Sequence, residues 1–307
     1  MRALLVVNLA ATTTSDRTRD VIVHALSADV DLEVVHTDHR GHALELGRRA
    51  RDEKVDLVLT FGGDGTVNET VNGLLEDGPA PDGPALAVLP GGSTNVFART
   101  VGMAEDLVEA TGQVLDGLRE GRRRRLGLGT ANGRWFTFTA GLGLDAEVVH
   151  AVESHRDGGG RLSAPVFVRA AVRQFYRRTD REQPALTVEV PGAEPVTGVF
   201  LVIVQNASPW TYLGGLPVNP CPEASFDTGL DFVALRRLGT VSTLRHVRQI
   251  LQPGSRPRGR DVATGHDLAE LTVWADRPVA LQLDGEPLGE RMSVHLRAHP
   301  EALSVVV

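Results

Sequence analysis

Residues 55–70 read VDLVLTFGGDGTVNET, an apolar run followed by a glycine-rich segment and the start of a helical pattern. The run Val55–Phe61 has the composition of a buried strand, and Val67–Leu75 has the periodicity of a helix. The segment between them, residues 62–66 (GGDGT), predicts a tight turn whose glycines let the backbone approach a ligand closely. Successive N–H groups at the start of a helix form an anion-binding concavity, so this turn predicts a phosphate site.

A second polar glycine turn, residues 90–95 (PGGSTN), follows the next apolar run, Ala85–Leu89. Ligands bind outside the carboxyl ends of the strands in open α/β sheets, so two such turns after successive strands predict one nucleotide-binding crevice. Asp64 in the first turn is then predicted as a ligand, direct or through water, for the Mg²⁺ that accompanies ATP. The alternative for either turn alone is a tight strand–helix connection with a helix cap.

The order of strands and helices predicts two domains. Short apolar strands alternate with helices along residues 1–125, which indicates a nucleotide-binding α/β domain with a parallel sheet covered on both faces. Residues 126–307 read mostly as strands with few helices between them, which indicates a β-rich, mainly antiparallel domain. The last strand, Leu303–Val307, fits either domain. A helix predicted at residues 165–178 carries a basic stripe, either a solvated face or an interfacial helix that contacts lipid headgroups.

The composition of the chain excludes several classes of protein and of nucleotide site. A formal net charge of −7 gives no long-range attraction for nucleic acid. Cys221 is the single cysteine, so no intrachain disulfide can form and a reducing, cytoplasmic location is expected. Lys54 is the single lysine, which excludes a Walker A loop with its Gly-Lys pair. The longest later apolar run, Val199–Val204, is too short to span a bilayer, so any contact with lipid would be peripheral.

Residues 62–69 (GGDGTVNE) resemble the signature of the diacylglycerol kinase catalytic-domain family, which includes soluble bacterial lipid kinases and sphingosine kinases. Residues 90–99 resemble the second motif of the family, and residues 141–148 (GLGLDAEV) resemble its entry to the second domain. Later stretches that resemble the family are at residues 206, 214–215, 227–231 and 283–286. The resemblance runs along nearly the whole chain in order, whereas GGDGT alone is also similar to NAD kinases and phosphofructokinases.

The resemblance implies a Rossmann-like, NAD-kinase-like α/β domain followed by a mainly antiparallel β-sandwich that binds lipid. It also implies ATP and Mg²⁺ as cofactors, and phosphorylation of the hydroxyl of diacylglycerol or a related long-chain lipid to a lipid phosphate such as phosphatidate. Glu286 matches the glutamate that accepts the hydroxyl proton in the family, and we predict it as catalytic together with Asp64. We expect peripheral contact with a membrane, and a homodimer if a sheet edge is exposed. The residues predicted to bind the nucleotide are Asn8, Thr12, Thr37, Gly62, Gly63, Asp64, Gly65, Thr66, Asn68, Glu69, Gly92, Ser93 and Asn95.

Two segments depart from the family pattern. The family has an aspartate, the partner of its catalytic glutamate, where this chain has Gly127. Either another acid supports Glu286, with Asp145 and Asp284 as candidates, or activity is weakened. The first loop, residues 8–12 (NLAAT), lacks the Pro and Gly of the family.

The sequence offers two further candidate metal sites and two alternative functions. Asp227 is followed by Thr where the family has an acidic pair that helps to hold a structural Mg²⁺, so Asp227 is the single acid left for that metal. His36, His39 and His42 recur every three residues across a strand end and a loop, with no common helical face that would favour zinc. The alternative functions are a kinase for a soluble acceptor such as NAD, and a non-catalytic nucleotide- or lipid-binding protein.

Overall fold

The computed structural model describes residues 1–9, 15–157, 169, 173–174, 180–252 and 254–307. Thr12 and most of the helix predicted at residues 165–178 lie outside the described residues. The chain divides into two compact units: unit 1 is Met1–Leu128 with Pro300–Val307, and unit 2 is Gly129–His299. The division therefore falls after Leu128 rather than after Arg125, and the C-terminal residues, which fitted either domain by sequence, belong to unit 1.

Unit 1 is an α/β fold. Its elements are β1 (Arg2–Val7), α1 (Asp16–Ser27), β2 (Asp31–His36), α2 (His42–Asp52), β3 (Leu57–Gly62), α3 (Asp64–Leu74), β4 (Ala85–Pro90), α4 (Val96–Thr100), α5 (Leu107–Glu120) and the first part of β5 (Arg123–Ala131). The first four strands pair in parallel in the order β2-β1-β3-β4, which confirms the predicted parallel sheet. Every residue of β3 and β4 is buried, as continuous apolar runs require when helices cover both faces of a sheet.

The ends of the parallel strands are aligned. Val7 pairs with both His36 and Phe61, and Gly62 pairs with Pro90. The carboxyl ends of β1 to β4 therefore lie at one edge of the sheet, which we call the carboxyl edge.

Unit 2 is mainly antiparallel, as predicted. Its elements after β5 are β6 (Arg134–Phe136), β7 (Thr139–Gly143), α6 (Leu144–Asp157), β8 (Leu186–Glu189), β9 (Val196–Val199), β10 (Leu201–Gln205), β11 (Thr211–Leu213), β12 (Leu216–Val218), β13 (Leu230–Leu235), α7 (Thr240–Ile250), β14 (Val262–Leu268), β15 (Glu270–Leu283) and β16 (Glu286–Val306). The sheet order is β14-β13-β10-β7-β15-β16, with β8 beside β15, and the last residues of β16 lie in unit 1.

The central strands of unit 2 bury both of their faces. Val202 and Val204 of β10 belong to one apolar cluster, and the alternate residues Leu201 and Ile203 belong to another. The second cluster includes Leu144 of α6, so this helix covers one face of the sheet. Alternation of side chains along an extended strand produces this division.

The sequence interpretation missed two helices of unit 2. Helix α6 begins at Leu144 directly after β7, with no separate turn segment, because Gly143 adopts a φ of 75° and redirects the chain. Helix α7 was also not predicted. Strand β15 is long and irregular, since its register against β16 shifts between Trp274 and Val279. Within the described residues, no helix is long and apolar enough to cross a bilayer.

Two glycines let α2 and α3 pack backbone against backbone. A Cβ at Gly73 would overlap Leu44 O and lie 2.7 Å from Arg48 N, and a Cβ at Gly47 would overlap Thr70 O. Helix α3 begins at Asp64, so residues 64–66 of the first glycine turn form its first turn, three residues before the predicted helix start at Val67. The close helix contact therefore sets the direction of the helix that carries this turn.

We expect Gly73→Ala to lower the free energy of unfolding by about 1–3 kcal/mol, because the added methyl group meets main-chain atoms that cannot rotate away. The matched control is Gly112→Ala on α5, where an added Cβ would have no atom within 4 Å. The control should raise stability by up to about 1 kcal/mol through its helix propensity. Urea unfolding measures both, and equal effects of the two changes would contradict the packing account.

Candidate active site

The carboxyl edge of unit 1 gathers the predicted nucleotide-binding segments that the structure describes. Strand β1 lies between β2 and β3, so the strand order reverses there and opens the position at which α/β sheets bind ligands. Asn8 follows β1, Thr37 follows β2, and the two glycine turns follow β3 and β4. Gly91 N donates a hydrogen bond of 2.9 Å to Gly62 O, which joins the two turns.

The first glycine turn leads directly into α3. Gly63 is the N-cap residue and offers no side chain to the helix, and the first intrahelical bond runs from Val67 N to Gly63 O. The N–H groups of residues 63–66 therefore have no acceptor within the helix. A phosphate at this helix start would supply acceptors and meet the positive end of the helix dipole.

The two glycine turns touch each other at Gly63 and Gly92. A Cβ at Gly92 would lie 2.6 Å from the Cα of Gly63, and a Cβ at Gly63 would lie 3.3 Å from the Cα of Gly92. Gly92 N also donates 2.8 Å to Asn95 Oδ1, and Asn95 Nδ2 donates 2.9 Å to Gly92 O. The second turn is therefore closed by Asn95 and held against the first, while Ser93 remains exposed.

Asp64 has a structural contact that the sequence did not reveal. Its carboxylate oxygens accept hydrogen bonds of 3.0 Å from Val96 N and 2.9 Å from Phe97 N, which belong to the first two residues of α4. Asp64 thus caps α4 and ties the first turn to the helix that follows the second turn. Each carboxylate oxygen has a second lone pair, so this cap is compatible with the predicted metal role of Asp64.

Other predicted nucleotide-binding residues of unit 1 form hydrogen bonds with one another or with neighbouring residues of this unit. Asn8 Nδ2 donates 3.0 Å to the hydroxyl of Thr66, which joins the end of β1 to the first turn. Glu69 Oε1 accepts 2.9 Å from Gly41 N, and so holds the loop that follows Thr37. Asn68 lies in the interior, 1% exposed, where its side-chain oxygen accepts from Asn72 Nδ2. Asn68 was predicted to bind the nucleotide, and its burial does not fit a side chain that contacts a ligand in an open crevice.

The predicted proton acceptor Glu286 follows a two-residue hairpin turn in unit 2. Asp284 and Gly285, with φ values of 49° and 84°, connect β15 to β16, and Leu283 pairs with Glu286. Positive φ at both central residues is characteristic of the type I′ turn, for which Asp-Gly is a preferred pair. Glu286 is therefore the first residue of β16.

Asp284 anchors this hairpin through its buried carboxylate. The side chain is 5% exposed. One of its oxygens accepts hydrogen bonds of 2.6 Å from Thr137 N and 2.9 Å from the Thr137 hydroxyl. Its other oxygen accepts 3.0 Å from the N–H groups of both Phe138 and Thr139. Burying a carboxylate without hydrogen-bond partners would strongly destabilise the folded state. The four donors compensate for this burial and hold the turn against residues 137–139.

Asp145 supports the same hairpin through Gln282. Gln282 Nε2 donates 2.8 Å to Asp145 Oδ2, and Gln282 Oε1 accepts 2.9 Å from Gly285 N. Burial raises the pKa of the Asp145 carboxyl to about 7, and the hydrogen bond from Gln282 lowers it by a smaller amount. Both acids that were considered as substitutes for the acid missing at Gly127 therefore support the turn before Glu286.

Arg134 is a site residue that the sequence interpretation missed. Its guanidinium Nη2 lies 3.3 Å from Glu286 Oε2, and the two side chains are 36% and 23% exposed. Arg134 lies on the three-residue strand β6, in a stretch that none of the motifs covers. Its position depends on strand pairing, so only the structure could identify it.

The structure brings possible metal ligands together at one of the two further candidate metal sites and not at the other. Within the described residues, Asp227 belongs to no group of three His, Cys, Asp or Glu ligand atoms within 4.8 Å of one another, whereas Asp38, His39 and His42 do form such a group. The rings of His39 and His42 are stacked, with centroids 4.9 Å apart and planes 7° from parallel. Imidazole lone pairs lie in the ring plane, so this orientation does not direct both rings at one ion.

We expect Asp145→Asn to change how stability depends on pH. A carboxyl with a usual pKa of 3.8 when unfolded and about 7 when folded is protonated preferentially in the folded state. Its contribution to stability is thus largest below pH 4 and is lost as the pH rises to 7. Between pH 4 and pH 7, the free energy of unfolding of the variant should therefore rise relative to that of wild type by on the order of 4 kcal/mol, at about 1.4 kcal/mol per pKa unit.

Urea unfolding between pH 4 and 8 measures this difference. The matched control is Asp276→Asn, at an exposed carboxyl of unit 2. The control should follow wild type at every pH. A constant offset between Asp145→Asn and wild type would rule out the burial effect.

The chain is similar to several known proteins along most of its length. Residues 2–131 match the family model described as diacylglycerol kinase catalytic domain. The chain is 38% identical over 260 residues to the diacylglycerol kinase of Bacillus subtilis (strain 168), which covers 80% of this chain and 76% of that protein. A Chromohalobacter salexigens protein named "Probable lipid kinase YegS-like" is 28% identical over 273 residues, 88% of this chain and 82% of that protein.

The fold is also shared with a solved structure. The crystal structure of a diacylglycerol kinase from Bacillus anthracis (strain Sterne) superimposes with a TM-score of 0.72 at 22% identity, over 99% of this chain and 96% of that chain. The identity with the Bacillus subtilis protein extends over more residues than unit 1 contains, so the relationship includes both units. This chain belongs to the diacylglycerol kinase catalytic-domain family.

Proposed function

We propose that this protein is an ATP-dependent lipid kinase that phosphorylates the hydroxyl of diacylglycerol or a related long-chain lipid. The contact between the two glycine turns of unit 1 carries this proposal. It brings two segments with the backbone geometry of a phosphate site to one edge of the sheet. Membership of the family supports a kinase, and the names of the relatives favour a lipid acceptor.

The donor side of the reaction belongs to unit 1. The N–H groups of residues 63–66 hold phosphate oxygens at the start of α3, and Ser93 offers a hydroxyl beside them. Mg²⁺ bound with ATP neutralises charge on the transferred phosphoryl group. Asp64 would offer such an ion its carboxylate, and one carboxylate is enough because Mg²⁺ usually keeps several waters. The fit of the residues to ATP and Mg²⁺ rests on these donors and acceptors.

The acceptor side of the reaction belongs to unit 2. Glu286 would take the proton of the lipid hydroxyl, whose oxygen forms a bond to the terminal phosphorus of ATP while the bond from that phosphorus to ADP breaks and ADP leaves. Asp284 fixes the hairpin that carries Glu286, and Arg134 orients the carboxylate by direct contact. Phosphoryl transfer depends mainly on position and charge, which is why a rigid turn before the base matters. A long-chain acceptor lies in a bilayer, so the reaction includes peripheral contact with a membrane.

Transfer of label from [γ-³²P]ATP tests the proposal. Purified protein with Mg²⁺ is offered diacylglycerol, monoacylglycerol, a sphingoid base and NAD in separate reactions. We expect label in an extractable lipid phosphate. Label in NAD alone would favour the soluble-acceptor kinase, and no transfer to any acceptor would favour the non-catalytic protein.

We expect Glu286→Gln to lower kcat by about 10²- to 10⁴-fold, the usual contribution of a general base. Nucleotide binding should stay unchanged, because no phosphate-binding segment of unit 1 is altered. The matched control is Glu290→Gln, an exposed residue of the same strand. Steady-state rates with lipid and calorimetric titration with ATP give both readouts, and equal rates for the two variants would remove Glu286 from the mechanism.

We expect Gly92→Ala to weaken ATP binding by at least about 10-fold, because its methyl group would push the second turn away from Gly63. Ser93→Thr keeps the hydroxyl and should bind ATP as wild type does. Titration of each variant with ATP and Mg²⁺ provides the measurement. Wild-type affinity in a folded Gly92→Ala protein would show that the turn contact is not needed for the nucleotide.

A further inference from the structure

Helix α7 of unit 2 turns apolar side chains toward solvent. Val241, Leu244 and Val247 are 83%, 65% and 42% exposed. Their spacing of three residues places them on one side of the helix. Isolated exposed apolar residues are ordinary, but three on one helix face form a stripe that needs an explanation.

The opposite side of α7 is attached to the rest of unit 2, so the exposure is a property of the fold. His246 is 3% exposed, and its Nδ1 lies 3.1 Å from Gln249 Oε1. The carbonyl of Ile250 accepts 2.9 Å from Asn219 N, which attaches the end of the helix to the loop after β12. Leu238, just before the helix, belongs to a buried cluster.

Arginines surround the apolar stripe. The segment from residue 236 to residue 260 contains seven arginines and no acidic residue, a charge of +7. Since the whole chain carries −7, the rest of it carries −14. The seven are all exposed: Arg236, Arg237, Arg245, Arg248, Arg256, Arg258 and Arg260.

Few of these positive charges are neutralised within the protein. Arg256 lies 2.8 Å from Glu223 Oε2. The other six form no ion pair with any acid in the part of the chain that the structure describes. Arg245 and Arg248 lie on α7 itself, four residues after Val241 and Leu244 respectively, so each shares a side of the helix with one of these apolar residues. The exposed face of the helix therefore combines unpartnered apolar surface with uncompensated positive charge.

We propose that the α7 face, defined as α7 with its flanking arginines 236–237 and 256–260, docks on an anionic lipid bilayer. An amphipathic helix that exposes Val and Leu beside Arg suits the boundary between headgroups and acyl chains, where its apolar side is buried and its arginines meet phosphates. Basic residues near an anionic membrane surface attract it strongly. A second copy of this chain is a poorer partner, since two such faces would repel each other.

The choice of a lipid surface over other anionic partners rests on the proposed function. The face itself can be tested without any kinase assay. The surface differs from the basic stripe predicted at residues 165–178, and it was not visible in the sequence because an exposed apolar helix face has the same pattern as a buried one.

Vesicle sedimentation tests the proposal. The full chain is mixed with sucrose-loaded vesicles of phosphatidylcholine alone, or of phosphatidylcholine with phosphatidylglycerol. We expect binding to the anionic vesicles, weaker at raised salt, and little binding to the neutral ones. The variant Arg237→Gln/Arg245→Gln/Arg248→Gln should lower the partition coefficient at least about 10-fold. The variant Leu244→Gln/Val247→Gln should also lower the partition coefficient. The size of this loss should depend less on salt, because the lost contribution is apolar.

Two matched controls change the same residue types elsewhere. Arg123→Gln/Arg297→Gln removes exposed arginines outside α7, and Val21→Gln/Val108→Gln removes exposed apolar side chains from α1 and α5. Both controls should bind vesicles as wild type does. Equal loss in the controls and the α7 variants, no wild-type binding, or equal binding to both vesicle types would overturn the proposal. Self-association that the α7 variants abolish, without a change in vesicle binding, would also overturn it.

Failure of this proposal and failure of the proposed function give different results. A short-chain diacylglycerol dispersed as monomers does not require docking, so the α7 variants should phosphorylate it at the wild-type rate. If vesicle binding behaves as expected but no lipid is phosphorylated, the docking face is supported and the kinase function is rejected. Thermal unfolding of each variant verifies that the helix change leaves the fold intact.

Discussion

The close approach of Gly63 and Gly92 is the constraint on which unit 1 depends. An added Cβ at Gly92 would lie 2.6 Å from the Cα of Gly63, so no other residue fits without moving a turn. Asp64 completes the arrangement, because its carboxylate caps α4 while its own residue begins α3. One acid and two glycines thereby fix the relative position of two helix starts. The result is a set of backbone N–H groups at the carboxyl edge that can donate hydrogen bonds to a phosphate.

The hairpin of unit 2 achieves rigidity differently. A buried carboxylate, Asp284, is satisfied by four donors from residues 137–139, and Gln282 links the next residue of the turn to Asp145. Removing one partner of such a network leaves a buried polar group unsatisfied, which costs more than the bond itself contributes. The sequence Asp-Gly-Glu therefore has two functions. Its first residue holds the turn, and its last residue is the proposed proton acceptor.

The sequence alone was sufficient for the parallel sheet, both glycine turns and the position of Glu286. Those features depend on local patterns: continuous apolar strands, glycine in tight turns, and an Asp-Gly hairpin. The capping role of Asp64, the contact of Arg134 with Glu286 and the burial of Asn68 depend on residues distant in the chain, and no local pattern encodes them. Helix α6 was missed because a single glycine conformation replaces the turn segment that normally separates a strand from a helix.

Charge is distributed unevenly along this acidic chain, and the segment around α7 has the opposite sign to the rest. The proposed kinase function, however, depends on phosphate binding at the carboxyl edge of unit 1. A crystal structure of the protein with Mg²⁺ and a non-hydrolysable ATP analogue tests it most directly. The account predicts phosphate oxygens within hydrogen-bond distance of the N–H groups of residues 63–66. A nucleotide bound with its phosphates away from both glycine turns would contradict it.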